Sequence, residues 1–247
     1  MTETGQKGFE LNPLGDSAIT ISFGREISME IHNCVRSAAE YFENNPHPAM
    51  IECVPAFTSL TIYYDPVKVF NAASDRQAGF SPYDSYCLEI KKGLASLAVS
   101  EPSAPRVVTI PVCYGGECGP DIQEVASHAG ITPDEVARLH FQSEYFVYMI
   151  GFAPGFPYLG GLPEEIAAPR KKQPRVSIPE GSVGIAGKQT GVYPISTPGG
   201  WQIIGRTPMK LFRPDMDPPS MLKAGDKVRF MPITLKAFNL AKGEVAG

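Results

Sequence analysis

The side chains best suited to chemistry cluster in three dense segments, GFAPGFPYLGGLP (151–163), PEGSVGIAGKQTGVYP (179–194) and PGGWQIIGRTP (198–208). In and beside them stand His140, Tyr158, Arg170, Arg175, Lys188, Gln189, Thr190, Gln202 and Arg206. Cations and fixed hydrogen-bond donors of this kind stabilise developing negative charge, by about 3–4 kcal/mol for a well-placed donor. A planar arginine fork also matches a carboxylate.

Other chemistries are poorly supported. There is no serine-centred G-x-S-x-G and no glycine fingerprint opening a Rossmann helix. The run GSVGIAGKQ (181–189) departs from a phosphate loop at Ser182 and Gln189, and the alternation of Val183 and Ile185 reads as a strand. Cys113 and Cys118 are five apart, but no second ligand pair accompanies them, and no metal site is read. With no secretory signal in view, the five cysteines read as free thiols.

Each candidate also has a plainer reading. His140 falls at a helix C-terminus, where a protonated imidazole complements the dipole. Gln189 and Thr190 lie among glycines and could serve a hairpin turn. Tyr158 could be a half-buried ring whose hydroxyl reaches a cleft. Alternation places Gln202 and Ile204 on one strand face, with Trp201 and Ile203 on the other, so Gln202 meets either a cleft or solvent. Arg170 and Arg175, near Lys171 and Lys172, make either a solvated basic face or a substrate clamp. Trp201 suits a core or a subunit interface, and Lys188 an exposed hairpin.

The elements that must position these groups follow from periodicity. Ile19, Ile21 and Phe23 alternate as a strand. Ser28 caps a helix with the stripe Ile31, Val35, Ala38, Ala39 and Phe42, which Asn44, Asn45, Pro46 and Pro48 end. Two more strands cover 51–54 and 60–64. Ser81 and Pro82 open a second helix with Tyr83, Cys87, Ile90, Leu94 and Leu97 on one face. Residues 98–106 (AVSEPSAPR) lose periodicity and mark a boundary, giving a small α+β domain over 1–100 and a mainly β domain over 101–247.

In the second part, Val108, Ile110 and Val112 alternate. Ile122, Val125, Ala126 and Ala129 form a helical stripe stopped by Gly130. Thr132-Pro133-Asp134-Glu135 reads as a capping box whose helix ends near His140. From 144 onward strands and turns are expected. Eleven Gly and eight Pro between 151 and 205 suit short strands closing into a barrel, with late strands at 209–212 and 228–231.

Composition excludes several classes. The 247 residues are 43% hydrophobic and 19% charged, which supports a packed core and opposes disorder. A net charge of −4 offers no basic surface for nucleic acid. The N-terminus has no apolar leader run, and the long apolar stretch 145–163 carries too many Pro and Gly to span a membrane. A cytoplasmic protein is expected.

The three segments resemble, without gaps over roughly 108–213, the signature of the 5-oxoprolinase B-subunit family, also called the KipI or allophanate hydrolase subunit 1 family. PAFTSL (55–60) and YDP (64–66) extend the resemblance more loosely into the front half. It implies a cyclophilin-like β-barrel behind a small α+β domain. It also implies membership of an ATP-dependent 5-oxoprolinase, inactive alone, that opens 5-oxo-L-proline to L-glutamate. The partners implied are an allophanate hydrolase subunit 2 (KipA-like) protein and a LamB/YcsF-type third subunit. ATP would be a co-substrate of the complex, with neither biotin nor metal on this chain. Under this reading His140, Gln189 and Arg206 would be catalytic, and Tyr158, Arg170, Arg175, Thr190 and Gln202 would bind substrate. The family also includes an inhibitor of a sensor histidine kinase, which makes a binding module the alternative.

Overall fold

A computed structural model describes residues 8–72, 81–96 and 104–244. The chain divides into two compact units, Met1–Ala104 and Pro105–Gly247. Most of the 98–106 segment, and Leu97, lie outside the described residues, which resume at Ala104.

The first unit runs β1 (Glu10–Pro13), β2 (Ala18–Ser22), α1 (Met29–Asn44), β3 (Met50–Pro55), β4 (Ser59–Tyr64), α2 (Pro66–Ala72) and α3 (Pro82–Ser96). Its sheet is antiparallel in the order β1-β2-β4-β3. The two-residue period turns Ile19, Ile21, Leu60, Ile62 and Tyr64 to one face, where they are buried with Ala38, Phe42, Ile90 and Leu94 of the helices. Each such aliphatic side chain contributes roughly 1.5–3 kcal/mol on burial. The Ser28 hydroxyl accepts the Ile31 N–H at 3.2 Å and starts α1; the Asn45 amide bonds Tyr41 O at 3.0 Å and closes it. Periodicity gives no sign of strand β1 or helix α2. For α2 the signal is local: Asp65 Oδ1 accepts the N–H groups of Val67 and Lys68, with Pro66 at the first helical position.

The second unit runs β5 (Val107–Tyr114), α4 (Ile122–Ala129), α5 (Pro133–Gln142), β6 (Glu144–Ile150), β7 (Pro157–Gly160), β8 (Arg175–Ile178), β9 (Ser182–Ala186), β10 (Gln189–Val192), β11 (Thr197–Gly199), β12 (Gln202–Arg206), β13 (Lys227–Pro232) and α6 (Leu235–Glu244). Seven strands close a barrel in the order β10-β7-β6-β13-β5-β12-β9, and β9 returns to β10. Every neighbouring pair is antiparallel except β5 with β13. Strands β8 and β11 form a separate two-stranded arm.

Helices α4 and α5 form a hairpin against β12 and β13. Ile122, Val125, Ala126 and Val136 share a buried cluster with Ile110, Val147, Val183, Ile185, Val192 and Val228 of the barrel strands. The hairpin therefore supplies part of the barrel's own core. Gly130, at φ 71, ends α4 in the left-handed conformation, and the Thr132 hydroxyl accepts the Glu135 N–H at 3.2 Å to begin α5. The other half of the capping box is not made, because the Glu135 carboxylate turns to Arg138.

Two expectations for this unit are corrected. Residues 209–212 form no strand; flanked by Pro208 and Pro214, they follow a loop with one bridge, Phe212 to Ser220, and Leu211 is buried in the core with Met209 packed partly buried against it. The end of the chain is not all strand and turn either. Thr234 starts α6 by accepting the Ala237 N–H at 3.2 Å, and Phe238 is buried beneath it.

Candidate functional site

The singled-out side chains fall into four groups within the second unit. The first lies inside the barrel. His140 comes from the last turn of α5 and has no exposed surface. Its Nε2 is 3.0 Å from Thr190 Oγ1 on β10, and its Nδ1 is 2.8 Å from the Tyr114 hydroxyl on β5. Strands β5 and β10 stand on opposite sides of the closed order, so the imidazole bridges the interior.

Proton positions follow from the partners. Thr190 Oγ1 donates to Gly184 O at 2.9 Å, so it accepts from His140 Nε2–H. The other nitrogen, Nδ1, then accepts from Tyr114 Oη–H. Phe230 and Tyr145 flank the ring at centroid distances of 4.6 and 5.2 Å. Burial lowers the imidazole pKa to about 3. The charged helix-end histidine considered from sequence is therefore replaced by a neutral, fixed tautomer.

The second group centres on Asp121, just before α4. Its carboxylate is 4% exposed and receives both arms of Arg175, at 2.8 and 2.6 Å. Lys171 Nζ donates to it at 3.0 Å and to Glu124 at 2.8 Å, and the Ile203 N–H donates at 2.7 Å. Burial pushes the Asp121 carboxyl up, but Arg175, the Ile203 amide and Lys171 outweigh it and hold the pKa below the ordinary range. Gln202 Nε2 donates to Pro169 O at 3.1 Å and to Glu124 at 3.2 Å. Its Oε1 is buried and has no hydrogen-bond partner. Neither Arg175 nor Lys171 belongs to a solvated face; both hold the 169–175 segment against α4 and β12. Arg170, carried by that segment, is exposed, and its charge acts on the nearby Tyr193 hydroxyl.

The third group is aromatic. Phe156 packs edge-on against Tyr158, Tyr193 and Trp201 at 5.0, 5.2 and 5.4 Å. Trp201 is thus a core residue of this cluster, and Tyr158 is half-buried at its margin. Phe152 also contacts Phe156, yet it is 64% exposed and has φ 68, unusual for a residue with a side chain. Gln189, half-buried, opens β10 opposite Ala186 across the hairpin. Lys188 at that hairpin pairs with Glu164 at 2.5 Å; both are exposed, so the pair contributes little. No helix follows 181–189, as the broken phosphate-loop pattern requires.

Arg206 makes the fourth group. It lies at the end of β12, its Nε donates to Glu180 O at 2.8 Å, and its guanidinium stands 5.9 Å from the Phe238 ring centre. Gly181, at φ 82, brings the neighbouring turn onto the Thr207 carbonyl so closely that a Cβ would collide with it. A cavity of about 170 Å³ opens beside Arg206, and Lys210 and Lys242, which sequence reading did not single out, also line it.

The structure therefore joins His140 with Thr190, and Arg175 with Gln202 through Asp121, Lys171 and Glu124. It links neither pair to Arg206 by a described hydrogen bond. Sequence reading missed Asp121 because its partners are 50 and 54 residues away.

Comparison with known proteins identifies the setting. The carboxyltransferase domain, subdomain C and D, matches residues 9–222. The 5-oxoprolinase B-subunit of Bacillus subtilis is 52% identical over 236 residues, 96% of this chain and 98% of that protein. The protein of the same name from Escherichia coli O157:H7 is 37% identical over 89% of this chain and 94% of its own length. The crystal structure of TTHA0988 superimposes with a TM-score of 0.72 at 33% identity, over 87% of this chain. This chain spans 40% of the TTHA0988 chain. With the family match covering most of its length and these identities to near full-length relatives, the chain belongs to the carboxyltransferase subdomain C and D family, among the proteins named as the B-subunit of 5-oxoprolinase.

Proposed function

We propose that this chain is a subunit of an ATP-dependent 5-oxoprolinase, which opens 5-oxo-L-proline to L-glutamate with partner subunits. The observation that carries the reading is 52% identity, over nearly the full length of both chains, to a protein of that name. A five-membered lactam is an unreactive amide. Transfer of the ATP γ-phosphoryl group to its oxygen makes the carbon electrophilic; water adds there, the C–N bond opens to an acyl phosphate, and a second water releases phosphate and glutamate. Negative charge develops on oxygen at each stage, so the site needs cations and fixed donors.

The geometry favours particular roles. Arg170 and Arg206 keep guanidinium N–H groups available for carboxylate or phosphoryl oxygens. Arg175 and Gln202 act indirectly, by fixing the segment that carries Arg170. His140 and Thr190 hold β10, on which Gln189 stands, while Tyr158 lines the aromatic margin. The exposed Phe152 suits contact with the allophanate hydrolase subunit 2-type partner, with a LamB/YcsF-type protein completing the enzyme. Alone, the chain is expected to be inactive.

The test is reconstitution. Purified chain, subunit 2-type partner and LamB/YcsF-type protein should release glutamate from 5-oxo-L-proline only when ATP is present. Equal release with this chain omitted would end the proposal.

A further inference from the structure

The cavity beside Arg206 has a composition that the lactam reading does not by itself explain. Three cations line it, Arg206, Lys210 and Lys242, against one carboxylate, Glu180. Among the described residues, no salt bridge engages any of the three. This concentration of unneutralised positive charge stands in a chain whose net charge is −4. Elsewhere in the same unit, Arg106, Lys171, Arg175, Lys227 and Arg229 have carboxylate partners; Arg170, Lys172, Arg213, Lys223 and Lys236 show no salt bridge among the described residues, but none of them lines this cavity.

The cavity is also organised. Arg206 is anchored through Nε to the Glu180 carbonyl, which leaves its terminal N–H groups for a ligand. The buried Phe238 ring lies beside its guanidinium and supports the plane. The three cations come from different places in the chain: Arg206 from β12, Lys210 from the following loop and Lys242 from the last turn of α6. Only the folded unit brings them together. A monocarboxylate needs one arginine fork, whereas a fork joined by two ammonium groups matches a multiply charged phosphoryl group. About 170 Å³ is room for one such group, with Met209 and Phe238 providing an apolar wall for what it is attached to.

We propose that the cavity formed by Arg206, Lys210 and Lys242 is a binding site for a phosphoryl group. Its assignment to the phosphate of ATP, or to the phosphate released during lactam opening, rests on the function proposed above; phosphate binding itself does not. The site would place part of the phosphate handling on this chain.

The test uses the isolated 247-residue chain and titration calorimetry at low ionic strength, with inorganic phosphate and ATP as separate probes. The Lys210→Ala/Lys242→Ala variant should weaken inorganic phosphate binding by about tenfold or more. A charge-matched control, Lys223→Ala/Lys236→Ala, removes two exposed lysines that do not line the cavity and should bind nearly as wild type. Absence of saturable phosphate binding at millimolar concentration overturns the site. So does equal weakening in both variants, which would assign the effect to net charge. Tighter binding of ATP than of phosphate, lost in the first variant only, identifies a nucleotide as the phosphate source. Glutamate release is a separate readout, so failure of the oxoprolinase reading and failure of the site are distinguishable.

Discussion

His140 Nε2 and Thr190 Oγ1 lie 3.0 Å apart inside the closed barrel, and neither residue reaches solvent. The contact joins the end of a helix to a strand 50 residues away. The imidazole is held neutral in one tautomer, and this has a consequence for acid stability.

In the unfolded chain the imidazole takes up a proton near pH 6.5, whereas in the fold it does so only near pH 3. Between these values the unfolded state holds the extra proton, so acid favours unfolding. The stabilising contribution is complete above about pH 6.5 and is lost as pH falls toward about 3, at up to ~1.4 kcal/mol per pH unit. The facing Tyr114 and Tyr145 stay neutral throughout, because burial raises both. His140→Gln should reduce the slope of unfolding free energy between about pH 6 and about pH 5 by close to one proton. Urea titrations across that range measure it; an unchanged slope would show that His140 titrates as it does in water.

Asp121→Asn should destabilise the second unit by about 3 kcal/mol, because Arg175 and Lys171 lose the charge that compensates them. It should also raise KM for 5-oxoproline more than it lowers kcat, since the segment carrying Arg170 is released. A variant that loses stability with KM unchanged would show that the cluster is structural only.

Phe152→Gly should raise the melting temperature, because glycine adopts φ 68 without strain. About 1 kcal/mol corresponds to roughly 2–4 °C for a chain of this size. The same change removes the exposed ring and should weaken assembly with the subunit 2-type partner. Sedimentation of the mixed proteins decides the point, and undiminished assembly would remove Phe152 from the interface.

Arg206→Ala should lower ATP-dependent glutamate release by about 10²–10³-fold in the assembled complex, the usual cost of removing one preorganised donor. Arg170→Ala, at an exposed position, should act mainly on KM. Steady-state kinetics on complexes of verified composition separate the two effects.

Short-range signals made much of this fold legible. Ser28 and Thr132 start α1 and α5 through hydroxyl caps, Gly130 ends α4, and the Ile19–Ile21 alternation marks β2, because each depends on residues within a few positions. Asp121 was not legible, since its role depends on Lys171, Arg175 and Ile203, brought to it only by tertiary folding. His140 reads as a helix end because nothing nearby in sequence announces Tyr114, Thr190 and Phe230 around it. The stretch 209–212 carries strand-like residues, but its flanking prolines prevented pairing. Lys210 and Lys242 look like ordinary surface lysines until α6 places them beside Arg206.

The parallel pairing of β5 with β13 has a consequence for biosynthesis. Strand β13 is inserted between β5 and β6, although it is made long after both. Until residues 227–232 leave the ribosome, those two strands have unsatisfied backbone edges and the cylinder stays open. A stop codon before Lys227 should therefore yield an insoluble product, even though the helical hairpin and every other stave of the barrel precede it.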